Sequence, residues 1–185
     1  MLEPISEIPV SSSTCLGLDL VLTITEAPTF FSDMAAKVKR AGGRVIVIVS
    51  RPAEERVRTV QELARYGLQY DDVVFVPPIE EAVQACPYRE ELGHYGSYLW
   101  HKVHIAELTG VTHYVGQEPL VKDLFRRFLP NVVTHYPREL FPRELYPRDV
   151  FDPVPAGVFY VGAQGVIDTI ECDFSTTPPT YRLLR

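Results

Sequence analysis

Leu16-Gly17-Leu18-Asp19-Leu20-Val21-Leu22-Thr23 is the stretch around which the rest of the chain falls into place. An apolar run carrying one carboxylate reads as a buried strand that delivers Asp19 to its carboxyl end. A lone aspartate among apolar residues is costly unless a charged group meets it there. Working outward, the sequence offers that company. Ser50, Lys102 and Glu118 each follow an apolar segment or open a helix.

Before this strand, residues 1–14 are polar and interrupted by proline, and read as an N-terminal arm. The strand itself covers about Cys15 to Leu20. A turn-like stretch from Thr23 to Phe31 follows, and Ser32-Asp33 opens a helix through Met34, Ala35, Val38 and Ala41. Gly42-Gly43 ends that helix. Arg44-Val45-Ile46-Val47-Ile48-Val49 is a continuous β-branched run, the pattern of a strand covered on both faces of a parallel sheet. Ser50-Arg51-Pro52 stops it and starts a second helix, with Val57, Val60, Leu63 and Ala64 as its apolar face and Gly67 as its cap. A short strand is expected from Val73 to Val76. Ile79 to Ser97 reads as a helix followed by an irregular loop, because it holds Pro87, Gly93 and Gly96. Tyr98 to Leu108 is helical, His113-Tyr114-Val115 is a strand, Leu120, Leu124 and Phe128 line a helix, and Asn131 to His135 is a last strand. Alternating strands and helices define a doubly wound, mostly parallel α/β domain over residues 15–136, with helices on both faces of the sheet.

Residues 137–185 have a different character. Tyr136-Pro137-Arg138-Glu139-Leu140, Phe141-Pro142-Arg143-Glu144-Leu145 and Tyr146-Pro147-Arg148-Asp149-Val150 repeat one unit. A proline at every fifth residue disfavours a continuous helix, so the expectation is a proline-stiffened strap packed on the domain. Val158 to Val161 and Val166 to Phe174, joined by Gly162-Ala163-Gln164-Gly165, read as a β-hairpin. This extension is also the natural place for a homodimer contact or a partner protein.

Composition narrows the classes. With 185 residues, 46% hydrophobic and 23% charged, the chain is long enough for one α/β domain with a sizeable core. The net charge of -6 argues against a generally basic nucleic-acid-binding surface, although Arg and Lys recur between Lys37 and Arg58. The three cysteines fit neither a zinc spacing nor a disulfide framework, which points to a reducing compartment. No apolar run has membrane-spanning length, so a cytoplasmic chain without a membrane partner is expected.

In an open α/β sheet, ligands sit at the carboxyl ends of the strands. Asp19 ends strand one and Ser50 ends strand two. Lys102 lies near the start of the helix before strand four, and Glu118, with Asp123 behind it, follows strand four. A divalent cation such as Mg²⁺ suits the carboxylates. Phosphate oxygens suit the hydroxyl and the ammonium, and a carboxylate can serve as a covalent nucleophile.

The order of these motifs resembles the haloacid dehalogenase superfamily. Its strand-Asp-x-Asp-Gly-Thr motif is matched by Asp19-Leu20-Val21-Leu22-Thr23, and its strand ending in Ser or Thr by Val49-Ser50-Arg51-Pro52. Its helix-borne lysine is matched by Lys102, and its strand ending in Gly-Asp by Val115-Gly116-Gln117-Glu118. The resemblance covers residues 15–136 and is to members without a cap domain. It implies Asp19 as nucleophile and first metal ligand, and Lys102 as the group steadying nucleophile and phosphate. Ser50, Arg51 and Thr23 would bind substrate. The backbone carbonyl of Val21 would complete a Mg²⁺ site with Glu118 or Asp123. The implied ligand is a phosphorylated small molecule or a nucleic-acid end.

Three positions depart from that pattern. The second aspartate, the family's general acid and base, is Val21; the following glycine is Leu22; and the first acid of the fourth motif is Gln117. Three readings follow. The first is a degenerate phosphatase that keeps a phosphate and Mg²⁺ pocket with weak or no turnover. The second is an active Mg²⁺-dependent phosphohydrolase in which another group, such as Glu26, moves the proton. The third is an interaction module working through the repeat and the hairpin. The plain alternatives are a salt-bridged structural Asp19, a Glu118 that complements a helix start, and packed or exposed His94, His101 and His104 in place of a metal cluster.

Overall fold

The computed structural model of the chain describes residues 8–140 and the strands 158–163, 166–173 and 180–184. The chain divides into two units, Met1–Asp149 and Val150–Arg185.

The first unit is built on five parallel strands: β1 (Cys15–Asp19), β2 (Arg44–Val49), β3 (Asp72–Phe75), β4 (His113–Val115) and β5 (Val133–His135). Their order across the sheet is β3-β2-β1-β4-β5. All of β1 and all of β2 after Arg44 are buried, as continuous apolar runs in a sheet covered on both faces should be. Side chains alternate across a strand. Accordingly, Ile46 and Ile48 join Val103, Ala106, Leu124 and Phe125 in one core cluster, while Val45, Val47 and Val49 are buried on the opposite face. The chain winds from β1 to β2 to β3 on one side and then returns to place β4 on the other side of β1. The order reverses between β1 and β4, and a crevice opens there at the carboxyl ends of the strands. Asp19 is the last residue of β1 and therefore stands at that crevice.

The helices depart from the sequence expectation in register more than in existence. α1 (Pro28–Arg40) begins four residues before Ser32, with Pro28 at its first position. Proline is well tolerated there, because the amide it lacks has no partner inside the helix anyway. Ser32 Oγ instead donates to the Tyr66 carbonyl at 2.6 Å. A tight turn, Ala53–Glu55, precedes α2 (Arg56–Arg65) and resets the helical phase. The buried face is Thr59 and Leu63, while Val57 and Val60 are 69% and 37% exposed and Ala64 also points outward. α3 (Ile79–Ala85) leads into α4 (Arg89–Thr109), which replaces the expected loop and is broken only at Gly93, with φ 67°. That left-handed conformation is one glycine adopts without a Cβ clash. α5 (Pro119–Phe128) buries Val121, Leu124 and Phe125, one residue round from the expected face, and leaves Leu120 37% exposed.

A short α6 (Pro137–Leu140) forms the first copy of the proline repeat, with Pro137 and Leu140 buried. The Glu139 carboxylate accepts from the Tyr136 amide at 2.9 Å, and the Lys122 ammonium lies 3.9 Å from the centre of the Tyr136 ring. The other two copies lie outside the described residues. In the second unit, β6 (Val158–Ala163), β7 (Val166–Asp173) and β8 (Thr180–Leu184) form an antiparallel sheet in the order β6-β7-β8. The expected hairpin is present, and β8 extends it by a strand that the sequence reading did not anticipate. Among the described residues, no helix is long and apolar enough to cross a membrane.

Candidate functional site

Burial decides the character of Asp19. The residue is 3% exposed and Lys102, reaching in from α4, is 5% exposed, so the charges of both are removed from water. The Lys102 ammonium pairs with Asp19 Oδ2. The Tyr114 hydroxyl donates to the same oxygen at 3.3 Å. The other oxygen, Oδ1, is buried with no hydrogen-bond partner. A carboxylate in such surroundings normally uses both oxygens, and an idle one carries a desolvation cost of roughly 1–3 kcal/mol.

Tyr114 reaches Asp19 because β4 lies beside β1, with Tyr114 opposite Gly17. A Cβ on Gly17 would sit 3.0 Å from a Val111 methyl and 3.3 Å from the Tyr114 ring. One on Gly116 would sit 2.7 Å from Tyr114 Cε1 and 2.9 Å from its hydroxyl. Two glycines thus leave the slot in which the ring lies. Burial first, then the charges of Asp19 and Glu118, hold the Tyr114 hydroxyl far above its ordinary pKa, so it remains a donor.

Beyond Asp19, residues Leu20–Ile24 form a wide helical turn broken at Val21 and Leu22. Leu22 has φ 58° and ψ 17°, a left-handed conformation at the position where the resemblance expects glycine. The leucine thus keeps the glycine-type turn, at a conformational cost of about 1–2 kcal/mol. Its amide donates to Thr25 Oγ1 at 3.2 Å. Val21, where the resemblance expects an acid, is 38% exposed and brings only methyl groups.

The crevice has further polar atoms in waiting. Thr23 Oγ1, Ser50 Oγ and Gln117 Oε1 are buried without hydrogen-bond partners. Tyr98 ties Ser50 to the charged pair: its hydroxyl donates to the Ser50 carbonyl at 3.2 Å, and the fields of Lys102 and Asp19 both reach it. Glu118 caps α5 by accepting from the Leu120 amide at 3.4 Å and takes the Tyr95 hydroxyl at 3.3 Å. Burial, then the Glu118 charge and hydrogen bond, raise the Tyr95 hydroxyl well above its usual range, and Asp19 adds to the rise.

Of the residues expected from sequence, Asp19 and Lys102 are in direct contact, and Ser50, Thr23 and Glu118 stand at the same edge of the sheet. Two others are engaged elsewhere. Arg51 turns to Glu62 on α2, with its second contact at 3.4 Å, and this hydrogen bond is the main reason the Glu62 carboxyl is held below its usual range. Asp123 lies exposed on α5, paired with Arg126 at 2.8 Å, as a helix neighbour three residues away readily does. Glu26 is half-buried, and burial raises its carboxyl against the lowering effect of Arg138. His101 Nε2 lies 2.7 Å from the Ala82 carbonyl oxygen and His104 stacks on Trp100 at 5.0 Å, so both are packing residues. Sequence reading missed Tyr95, Tyr98 and Tyr114. The paired glycines around Tyr114 were the one available signal.

For a divalent cation, the relevant donors are hard oxygens. Asp19 Oδ1 and Gln117 Oε1 are such donors, both without a hydrogen-bond partner at the ends of neighbouring strands. Among the described residues, no three His, Cys, Asp or Glu side chains form a ready metal-ligand group. This donor set fits Mg²⁺, which keeps several waters and needs only one or two carboxylates.

Together, fold and site define a Rossmann-like α/β domain with a buried carboxylate–ammonium pair at its switch point. No protein-family model matches the chain, and no curated protein matches it. Among solved structures, it is similar to a chain in the structure of the Pnkp1/Rnl/Hen1 RNA repair complex. The TM-score is 0.45 and the identity 18%, over 74% of this chain and 46% of that one. It is also similar to Mycobacterium tuberculosis shikimate dehydrogenase, with a TM-score of 0.32 and 10% identity over 70% of this chain and 47% of that one. The chain thus spans less than half the length of either.

Proposed function

We propose that this chain is a phosphate-handling domain of the haloacid dehalogenase type that keeps a phosphate and Mg²⁺ pocket around Asp19 but turns substrate over weakly or not at all. The observation that carries this reading is the idle Oδ1 of Asp19. Its carboxylate pairs with a buried ammonium, the Ser50 and Thr23 hydroxyls after β2 and β1 also lack partners, and Val21 brings no acid. Phosphate oxygens would take the Ser50 and Thr23 hydroxyls and the Lys102 ammonium. Mg²⁺ would be held by Asp19 Oδ1, the Val21 backbone carbonyl and Glu118, Gln117 or Asp123, the last of which pairs with Arg126 on the exposed side of α5. When bound, the ion would neutralise charge on the phosphate oxygens. Lys102 and Tyr114 hold the Asp19 carboxylate in place for attack on phosphorus. Without an acid at Val21, the leaving alkoxide receives no proton from that position, a loss of about two to four orders of magnitude in rate.

A second reading, an active phosphohydrolase of nucleotide or polynucleotide phosphates working through an aspartyl-phosphate, draws on Glu26, whose burial favours the protonated form. Calorimetric titration with Mg²⁺ and inorganic phosphate, paired with phosphate release from an aryl phosphate and from phosphorylated oligonucleotides, separates the two. Binding that Asp19→Asn weakens, without release above that variant, supports the first. Metal-dependent release abolished by Asp19→Asn supports the second. The interaction-module reading depends on repeat copies and hairpin side chains outside the described residues.

A further inference from the structure

A groove of about 260 Å³ runs along α2, lined by Arg51, Arg58, Gln61, Glu62, Arg65 and Tyr66. In a chain of net charge -6, three arginines against one glutamate give this groove a net positive lining. Glu62 lies among them and pairs with Arg51, so the two charges offset each other, and the Tyr66 hydroxyl donates to Glu62 Oε1 at 2.9 Å; the groove's positive charge is left to Arg58 and Arg65. Glu55 stands 3.8 Å from Arg58, whose side chain is 78% exposed, a contact too loose to neutralise it. Arg58 and Arg65 are seven residues apart, two turns or about 10 Å along the axis. Cations set in line at that spacing suit a ligand with repeated negative charges better than a single anion.

Two further features favour single-stranded nucleic acid over a small polyanion. The Tyr66 ring is fixed in the groove by its hydroxyl bond, and an aromatic ring in a basic groove is the common platform for base stacking. Gln61 adds an amide that both donates and accepts hydrogen bonds. Arg51, which lines the groove, directly follows Ser50 in the chain, so α2 and its groove lead away from the sheet edge that carries Asp19.

We propose that this α2 groove is a docking channel for a single-stranded nucleic acid whose terminal phosphate enters the Asp19 pocket. The proposal rests on the phosphate reading of that pocket but is tested apart from it. Fluorescence anisotropy of the full chain is measured with labelled single strands of about 12 nucleotides, a length within the usual site sizes. RNA and DNA are compared, each with and without a terminal phosphate. The expected result is binding that weakens by about tenfold or more in Arg58→Glu/Arg65→Glu. The log–log salt dependence should flatten by about 1.4, the equivalent of two lost phosphate contacts. Both arginines are exposed, and circular dichroism melting confirms that the variant is folded. Binding of the unphosphorylated strand calls on the groove alone, so failure of phosphate handling in the Asp19 pocket leaves this result intact. The proposal is overturned if no strand binds, or if the charge-reversed variant binds as well as the parent. It is also overturned if tripolyphosphate displaces the strand at equal phosphate concentration, which would make the groove a small-polyanion site.

Discussion

Asp19 and Asp71 each meet a lysine, but their surroundings are opposite. Near the surface, Asp71 gives one oxygen to Lys39 and the other accepts the Val45 amide at 2.7 Å, so nothing is left over. In the crevice, Asp19 loads Lys102 and Tyr114 onto one oxygen and leaves the other idle. The first arrangement is how a structural carboxylate pins an entering strand. The second is destabilising unless a ligand completes it, and idle polar atoms on Thr23, Ser50 and Gln117 accompany it.

The largest effect that sharpens this contrast is expected at Lys102. Lys102→Met leaves a buried carboxylate without its counter-charge and should lower stability by about 3–5 kcal/mol in urea unfolding. Adding Asp19→Asn should return a large part of that loss; an additive double variant would show that the pair is not coupled. Next comes the slot around Tyr114. Gly116→Ala places a methyl 2.7 Å from the ring and should cost roughly 1–3 kcal/mol, less in a Tyr114→Ala background. Tyr114→Phe removes one donor but spares the ion pair, so about 1 kcal/mol is expected in thermal unfolding.

The smallest effect belongs to Asp71. Burial pushes its carboxyl up, but the hydrogen bonds from Lys39 and from the Val45 amide outweigh that and hold its pKa below the ordinary value. The stability it contributes is therefore complete above the unfolded pKa and is lost as pH falls through the lower folded one. Asp71→Asn should cost roughly 0.5 kcal/mol at neutral pH, after solvent screening. The difference from the parent should vanish in acid, below the ordinary aspartate range. An Asp71→Asn loss as large as that of Lys102→Met would erase the contrast between the two aspartates.

What could be read in the sequence divides along physical lines. β1 and β2 were legible because burial on both faces leaves an unbroken apolar run. Asp19 and Lys102 were legible because the order of motifs places both at the carboxyl edge. Tyr114 was not, because its reach depends on β4 lying beside β1, a pairing of residues nearly a hundred positions apart. The face of α2 was misread because the turn at Ala53–Glu55 shifts the phase of everything after it. Arg51 and Asp123 carry the charge types the site called for, yet each found a partner on α2 or α5, which spacing to the motifs does not reveal. β8 comes directly after Pro178-Pro179 in the sequence, and its five residues are too short a run to show a strand pattern of their own.

The most direct test of the account is phosphate release in the presence of Mg²⁺ by the parent, Val21→Asp and Asp19→Asn. If the pocket is intact and lacks only its proton carrier, the parent matches Asp19→Asn, and Val21→Asp gains roughly a hundredfold or more. A parent that already releases phosphate through Asp19, with no gain from Val21→Asp, would contradict the account and place the acid elsewhere in the crevice.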